Sequence, residues 1–276
     1  MRADGHLRDP ARDRAELVRA GVRAELADQL VAAGLTARVR DQLLIITEHL
    51  DPIAGESRAL VPLGAEIVID DPDALAELVA LARQRIPAAT RLILVLGRPA
   101  ALPVGTPYLR YVRAGSGSPV APPADWRVRP TGPEDQAEVV PLLREALLAG
   151  YTEAGSSADP DALDHVAAEV FGQCLTDGWG FVARQDGRFT GHLTVVPDED
   201  ELTGASRWDL FDMFVLPPYR GGPSARLLTS AAAARAGDRP LRGHVAGSDA
   251  SADAVLERLV GLGWQPDETY WSVPLS

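Results

Sequence analysis

The chain has 276 residues, of which 46% are hydrophobic, 24% charged and 5% aromatic, a balance that excludes global disorder and low complexity. Its 27 basic residues against 39 acidic ones leave a formal charge of −12, a field that opposes nucleic-acid binding and favours capture of cationic small molecules such as amines. Apolar runs are short and interrupted, Met1 to Pro10 has no signal-peptide core, and the single Cys174 cannot close an internal disulfide; a soluble protein of the reducing cytoplasm with no membrane partner is expected.

In the first half, Val18, Val22, Leu26 and Leu30 recur every four residues and predict an amphipathic helix over Leu17–Ala33, with Gly34 as its C-cap. Leu43–Thr47 and Ala65–Ile69 read as buried strands. Asp71 caps a helix over Pro72–Arg85, with Pro72 at its first position. Arg91–Leu96 and Tyr108–Arg113 read as further strands, completing a small α/β module over 1–113. It carries no phosphate loop, metal-ligand spacing or activated nucleophile, and His49 beside Glu48 reads as a loop-edge residue. The Gly/Ser/Pro run of 114–125 solvates well and packs badly, and is expected to be a linker.

In the second half, 126–276, Trp126–Pro130 reads as a strand and Thr131 as the cap of a helix reaching Leu148. Asp159 and Pro160 open a second helix. Phe181–Arg184 and Arg188–Val196 form a hairpin turned at Asp186-Gly187, where both residues tolerate positive φ. A strand over Trp208–Val215, a helix to Ala236, a strand over Leu241–Ala246, a helix over Ser251–Leu262 and a strand over Thr269–Pro274 follow. Cys174, Trp179, Trp208, Trp264 and Trp271 read as core or cleft walls, and Asp198–Glu201 as a solvated acidic loop or a rim for a positive ligand.

The chemistry-bearing segment is Val215-Leu216-Pro217-Pro218-Tyr219-Arg220-Gly221-Gly222-Pro223-Ser224-Ala225-Arg226. A strand ends, the prolines stop its ladder, and a Gly-rich turn opens a helix. Such a junction presents unpaired N–H groups and the positive end of the helix dipole to an anion. Gly221 and Gly222 permit close backbone approach, Ser224 offers a hydroxyl, and Arg220 and Arg226 offer charge.

Within that order of elements the string resembles the acyl-CoA-binding segment of the GCN5-related N-acetyltransferase superfamily, with Val215, Pro217, Tyr219, Arg220 and Gly221 on the family's pattern. The hairpin through Gly191-His192-Leu193 and the later Leu262-Gly263-Trp264 are similar to further family signatures. Two departures stand out. Pro223 replaces a glycine and removes one N–H, and Leu259 occupies the place where the family often has a tyrosine acid.

The resemblance, over about 126–276, implies an α/β fold with a mixed, mostly antiparallel sheet flanked by helices. The smaller α/β domain before it is a candidate degenerate copy of the same fold. The resemblance further implies acetyl-CoA, or another acyl-CoA, as co-substrate with no metal, and an amine acceptor of small size such as an amino-acid derivative or natural product. A homodimer stays open, as does a catalytically silent module that binds CoA or a protein partner. Phe214, Val215 and Leu216 would supply main-chain donors, followed by the residues of the turn from Arg220 to Arg226. Asp212 and Asp209 are the candidate bases or acceptor ligands, His244 is a second base candidate, and Tyr151 and Glu153 are candidate acceptor contacts. All basic residues are arginine. Codon bias in a GC-rich genome accounts for this, while avoidance of nucleophilic lysine amines near activated acyl groups is the functional alternative.

Overall fold

The computed structural model describes residues 9–97, 100–115 and 120–275. The chain runs α1 (Pro10–Arg19), α2 (Ala24–Ala32), β1 (Thr36–Val39), β2 (Gln42–Leu50), β3 (Ser57–Leu63), α3 (Ile67–Asp70), α4 (Pro72–Arg85), β4 (Arg91–Leu96) and β5 (Thr106–Arg113). It continues with β6 (Trp126–Pro130), α5 (Gln136–Glu153), α6 (Pro160–Thr176), β7 (Trp179–Gln185), β8 (Arg188–Glu199), β9 (Ser206–Val215), α7 (Ser224–Ala236), β10 (Leu241–Ala246), α8 (Ala250–Gly261) and β11 (Gln265–Pro274). Parts of the expected polar start and of the 114–125 linker lie outside the described residues.

Local signals account for most boundaries. Asp71 and Asp159 accept from backbone N–H groups in the first turns of α4 and α6, and Asp186 (φ 49°) with Gly187 (φ 78°) turns the β7–β8 hairpin as expected. Three expectations fail. The single helix over Leu17–Ala33 is two helices, because Gly21 at φ 94° reverses the chain; Leu17, Val22 and Leu30 are buried in one cluster across that turn, whereas Val18, the first residue of the apolar spacing, is exposed. Ala65–Ile69 holds a turn and the short α3 rather than a strand, and the strand lies earlier, at Ser57–Leu63, where Arg58 and Pro62 interrupt the apolar run. Thr131 does not cap: Asp135 instead accepts from Gly132 N and from Arg129.

Among the described residues the strands form one eleven-stranded sheet in the order β1-β2-β3-β4-β11-β5-β10-β9-β8-β7-β6. Pairing is antiparallel except at β3–β4 and β9–β10. The strand β5 lies between β10 and β11, and β11 lies between β5 and β4, so the last strand of each half completes the sheet of the other. Period-two alternation divides the second half's core between two faces. Val182 and Val196 pack under α5 and α6 with Val139, Leu143 and Phe171, while Ala183 and Val195 pack under α7 and α8 with Leu228, Leu241 and Leu259. No helix of the described residues is long and apolar enough to cross a membrane.

The parallel pairs differ at their far ends. The strands β3 and β4 pair at four consecutive positions, and beyond them Gly97 N donates to Glu66 Oε1 at 3.2 Å, which ties the two strands' continuations together. By contrast β9 and β10 pair only at Trp208–Leu241, Asp209–Arg242 and Leu210–Gly243. Beyond this point β9 follows β8 and β10 follows β5, and a gap opens in the sheet.

Candidate active site

A β-bulge marks the start of the gap. Leu210 stands opposite Val195 and Asp212 opposite Thr194, so Phe211 has no partner on β8 and β9 bends away from β10. The divergence leaves a cavity of about 460 Å³ that runs through the sheet. On one face it is walled by Gly150 and Tyr151 of α5 with His244, and on the other by Val255 and Leu259 of α8 with Trp264.

Asp212 and His244, two of the expected catalytic residues, both line this cavity. The Asp212 carboxylate approaches the fully buried His192, Oδ2 to Nε2 3.2 Å, at an angle that makes no hydrogen bond, and the other ring nitrogen of His192 meets Thr194 Oγ1 at 3.2 Å. Asp209 does not reach the cavity wall. It sits behind His244, and burial raises its carboxyl above the ordinary aspartate range, against the opposing pull of the nearby Arg242 and Arg207 guanidinium groups. The His244 ring packs at 5.5 Å from Tyr111, which in turn stacks under the Arg242 guanidinium at 3.6 Å. Arg242 pairs with Asp267 and Glu268, so this cluster is a braced floor rather than a free charge.

Tyr151, one of the candidate acceptor contacts, lines the cavity, whereas the other, Glu153, points to the bend after β10, near Gly247 and Asp249, and does not. The sequence reading missed the wall supplied by the first half. Asp51, 4% exposed, accepts from Tyr151 Oη at 2.9 Å and from the amides of Ile53 and Ala54, and forms an ion pair with Arg58 at 2.9 Å. Arg58 and Tyr108 face the same cavity, as does His49, which ends β2 rather than a loop. Burial pushes the Tyr108 hydroxyl up to about 12, partly offset by the Arg58 guanidinium. Tyr108 reaches this face because β5 carries an irregularity there: the register with β11 shifts between Tyr270–Leu109 and Trp271–Pro107. Nothing local in the sequence brings Asp51 to Tyr151; only the packing of α5 on the ends of β2 and β3 does.

At the turn before α7, several expected roles change. Ser224 is fully buried with its hydroxyl turned inward to Thr190 Oγ1 at 3.2 Å, so it cannot meet a ligand. The Leu216 amide is spent on Thr190 O, and those of Tyr219, Arg220 and Gly222 close the turn on Leu216, Pro217 and Tyr219. Arg220 folds back, its Nε donating to Val215 O at 3.2 Å and its guanidinium lying 5.6 Å from the Phe214 ring. What stays open is the first turn of α7, whose N–H groups at 224–226 have no partner one turn earlier, and the space over Gly221, where no described atom lies within 4 Å of an added Cβ. Arg226 borders a second hollow of about 420 Å³ between α7 and the end of α8, and Trp264 forms a wall of both cavities. Ala114, Gly115 and Val120 also border that hollow, with Val120 N donating to Ser230 Oγ at 2.7 Å. The described ends of the expected linker therefore pack on α7 and α8.

Two further expectations concern single groups. Cys174 is a buried small apolar side chain whose thiol burial pushes up to about 11. The acidic run at 198–201 is drawn into its own ion pairs, Arg207 with Asp198 and Asp200, and Arg23 with Glu199.

No family model and no curated protein matches the chain by sequence. Solved structures match it by fold. A GCN5-related N-acetyltransferase from Sphaerobacter thermophilus superimposes with a TM-score of 0.50 at 12% identity, covering 96% of this chain and 92% of that one. A functionally unknown conserved protein from Staphylococcus epidermidis ATCC 12228 gives 0.48 at 10% identity, over 81% and 85%. A GCN5-related N-acetyltransferase from Kribbella flavida gives 0.45 at 13% identity, over 96% and 93%. The architecture is a mostly antiparallel α/β sheet, open at one parallel pair. It is the fold of the GCN5-related N-acetyltransferases.

Proposed function

We propose that the chain is an acyl-CoA-dependent N-acyltransferase that moves an acetyl group from acetyl-CoA to the amine of a small molecule by direct attack. The observation that carries this reading is the gap between β9 and β10, with an unpaired backbone edge on one side and Asp212 and His244 in its wall. Bound acetyl-CoA would supply the activated carbonyl and a thiolate leaving group. The open first turn of α7 and Arg226 suit its phosphates, with less side-chain help than Arg220 and Ser224 were expected to add.

The residues of the gap divide the work. Asp212 draws in the ammonium form of the acceptor, and Asp212 or His244 takes its proton. The freed nitrogen lone pair forms the C–N bond as the C–S bond breaks, and sulfur departs with the electron pair. Peptide N–H groups on the free β9 edge, 211–215, favour the oxygen charge that develops. Asp209, behind His244, holds the imidazole's surroundings polar and orders the floor. Leu259 offers no proton to sulfur, so water supplies it. The two halves are read as tandem copies of one fold, 1–113 and 126–276, the first without a gap and serving as the far wall of the acceptor site.

A silent CoA- or partner-binding module is the second reading, favoured by the spent amides of the turn and by apolar Leu259. Thiol release from acetyl-CoA with amino acids, aminoglycosides, polyamines and peptides separates the two. An Asp212→Asn variant should lower kcat/KM by roughly 10²-fold or more with its unfolding midpoint unchanged; no thiol release with any amine sinks the enzyme reading.

A further inference from the structure

The cavity wall contains buried polar atoms that the protein leaves without partners, and in a folded chain such atoms call for an explanation. Arg58 Nε and His244 Nδ1 are two of them. Arg58 is 7% exposed and lies at the end of the cavity built by the first half, whereas His244 and Asp212 lie at the gap. A guanidinium does not lose its proton, so Arg58 Nε is always a donor. Neutral His244 can accept at Nδ1, and Asp212 accepts at its carboxylate. The unpartnered atoms bordering the empty space are therefore acceptors at the gap and a donor, Arg58 Nε, at the other end, where Asp51 and the Tyr108 and Tyr151 hydroxyls are already engaged with Arg58 or with each other. Its complement is a molecule that presents N–H groups at the gap and an oxygen lone pair at Arg58.

The charge on that oxygen follows from the ion pairs around Arg58. Asp51 lies at 2.9 Å and Glu56 at 3.4 Å from its terminal nitrogens, so the cluster is already one negative charge in excess and repels a ligand carboxylate. Nor does it call for a second ammonium, because Asp51 is occupied by Tyr151, Arg58 and two amides. We propose that the acceptor is an amine whose far end carries a neutral hydroxyl or carbonyl oxygen, received by Arg58 Nε. This deepens the acyl-transfer reading and rests on it for the position of the amine. It also makes the site incomplete without the first half, which supplies Asp51, Arg58 and Tyr108.

The test compares amines of matched length on the full chain: aminopentanol, hexylamine, cadaverine and aminopentanoate. Thiol release with acetyl-CoA gives kcat/KM, and calorimetric titration without acetyl-CoA gives Kd. Aminopentanol should exceed hexylamine by about tenfold in both, the size of one buried hydrogen bond left unmade. Arg58→Lys keeps the charge beside Asp51 but removes the Nε donor, and should shrink that ratio to about one. Should this variant fail to fold, the parent's ratio decides alone. Equal values for aminopentanol and hexylamine, or a preference for aminopentanoate or cadaverine, overturn the proposal. If no amine is acetylated yet aminopentanol still binds more tightly than hexylamine, the transferase reading fails and the oxygen site stands.

Discussion

Gly150 separates the stability of this protein from its use of the cavity. It lies in the last turn of α5 and lines the cavity opposite the end of β10, where an added Cβ would come 3.9 Å from Ala246 Cβ. That is ordinary van der Waals contact, so Gly150→Ala has room. Replacing a helical glycine restricts the unfolded chain and should stabilise by roughly 0.5–1 kcal/mol. Gly150→Leu keeps that gain and adds side-chain carbons within the cavity, each contributing up to about 0.8 kcal/mol where it is shielded from water. At about 2–4 °C per kcal/mol for a chain of this size, Gly150→Ala should raise Tm by a few degrees and Gly150→Leu by at least as much. The acceptor's space is then filled, and kcat/KM for acetyl transfer should fall by more than tenfold in the leucine variant and little in the alanine one. Calorimetric unfolding and thiol release measure the two quantities on the same samples. A leucine variant as active as the parent would mean that the acceptor does not pass through this cavity. One less stable than the parent would mean that the space beside Ala246 is not there.

Other perturbations test other links. Arg226→Ala should raise KM for acetyl-CoA several-fold while Arg220→Ala changes it little, because Arg220 is committed to Val215 O; competition with CoA reads the difference, and the reverse order would reject the turn's geometry. Ser224→Ala should cost about 0.5–1.5 kcal/mol of stability, read from urea midpoints, without changing that KM, since its hydroxyl serves Thr190 in the interior. Asp209 is raised by burial, so the folded state binds its proton more tightly than the unfolded chain, and stability falls as pH rises from the ordinary aspartate value through the folded one. Asp209→Asn removes that component: urea unfolding from about pH 4 to about pH 8 should show the variant gaining on the parent through this window and holding a constant lead above it, and a lead that grows toward acid would reverse the sign.

The local grammar of the chain was largely readable. The caps Asp71 and Asp159, the Asp186-Gly187 turn and the strand at Leu241–Ala246 depend on contacts a few residues apart, and the structure places them as expected. Where reading failed, a longer-range contact decided. The apolar spacing from Leu17 to Leu30 could not distinguish one helix from two that share a buried face, and the interrupted run at Ser57–Leu63 becomes a strand only by pairing with β2 and β4. In the turn, residue type suggested Arg220 and Ser224 as anion contacts, but side-chain direction, which depends on Val215 and Thr190, turned both away.

The sequence by itself determined the order of helices and strands in the second half, the acidic field, and the strand–turn–helix junction at 215–226, because hydrophobic periodicity, capping and glycine placement act within a turn or two of chain. Only the tertiary structure decided the exchange of β5 and β11 between the halves, the parting of β9 from β10, and the meeting of Tyr151 with Asp51 and Arg58, which lie about a hundred residues earlier. Those features arise from strand pairing and helix docking, in which each choice depends on what surface the rest of the chain leaves to be covered. No short window of residues carries that information.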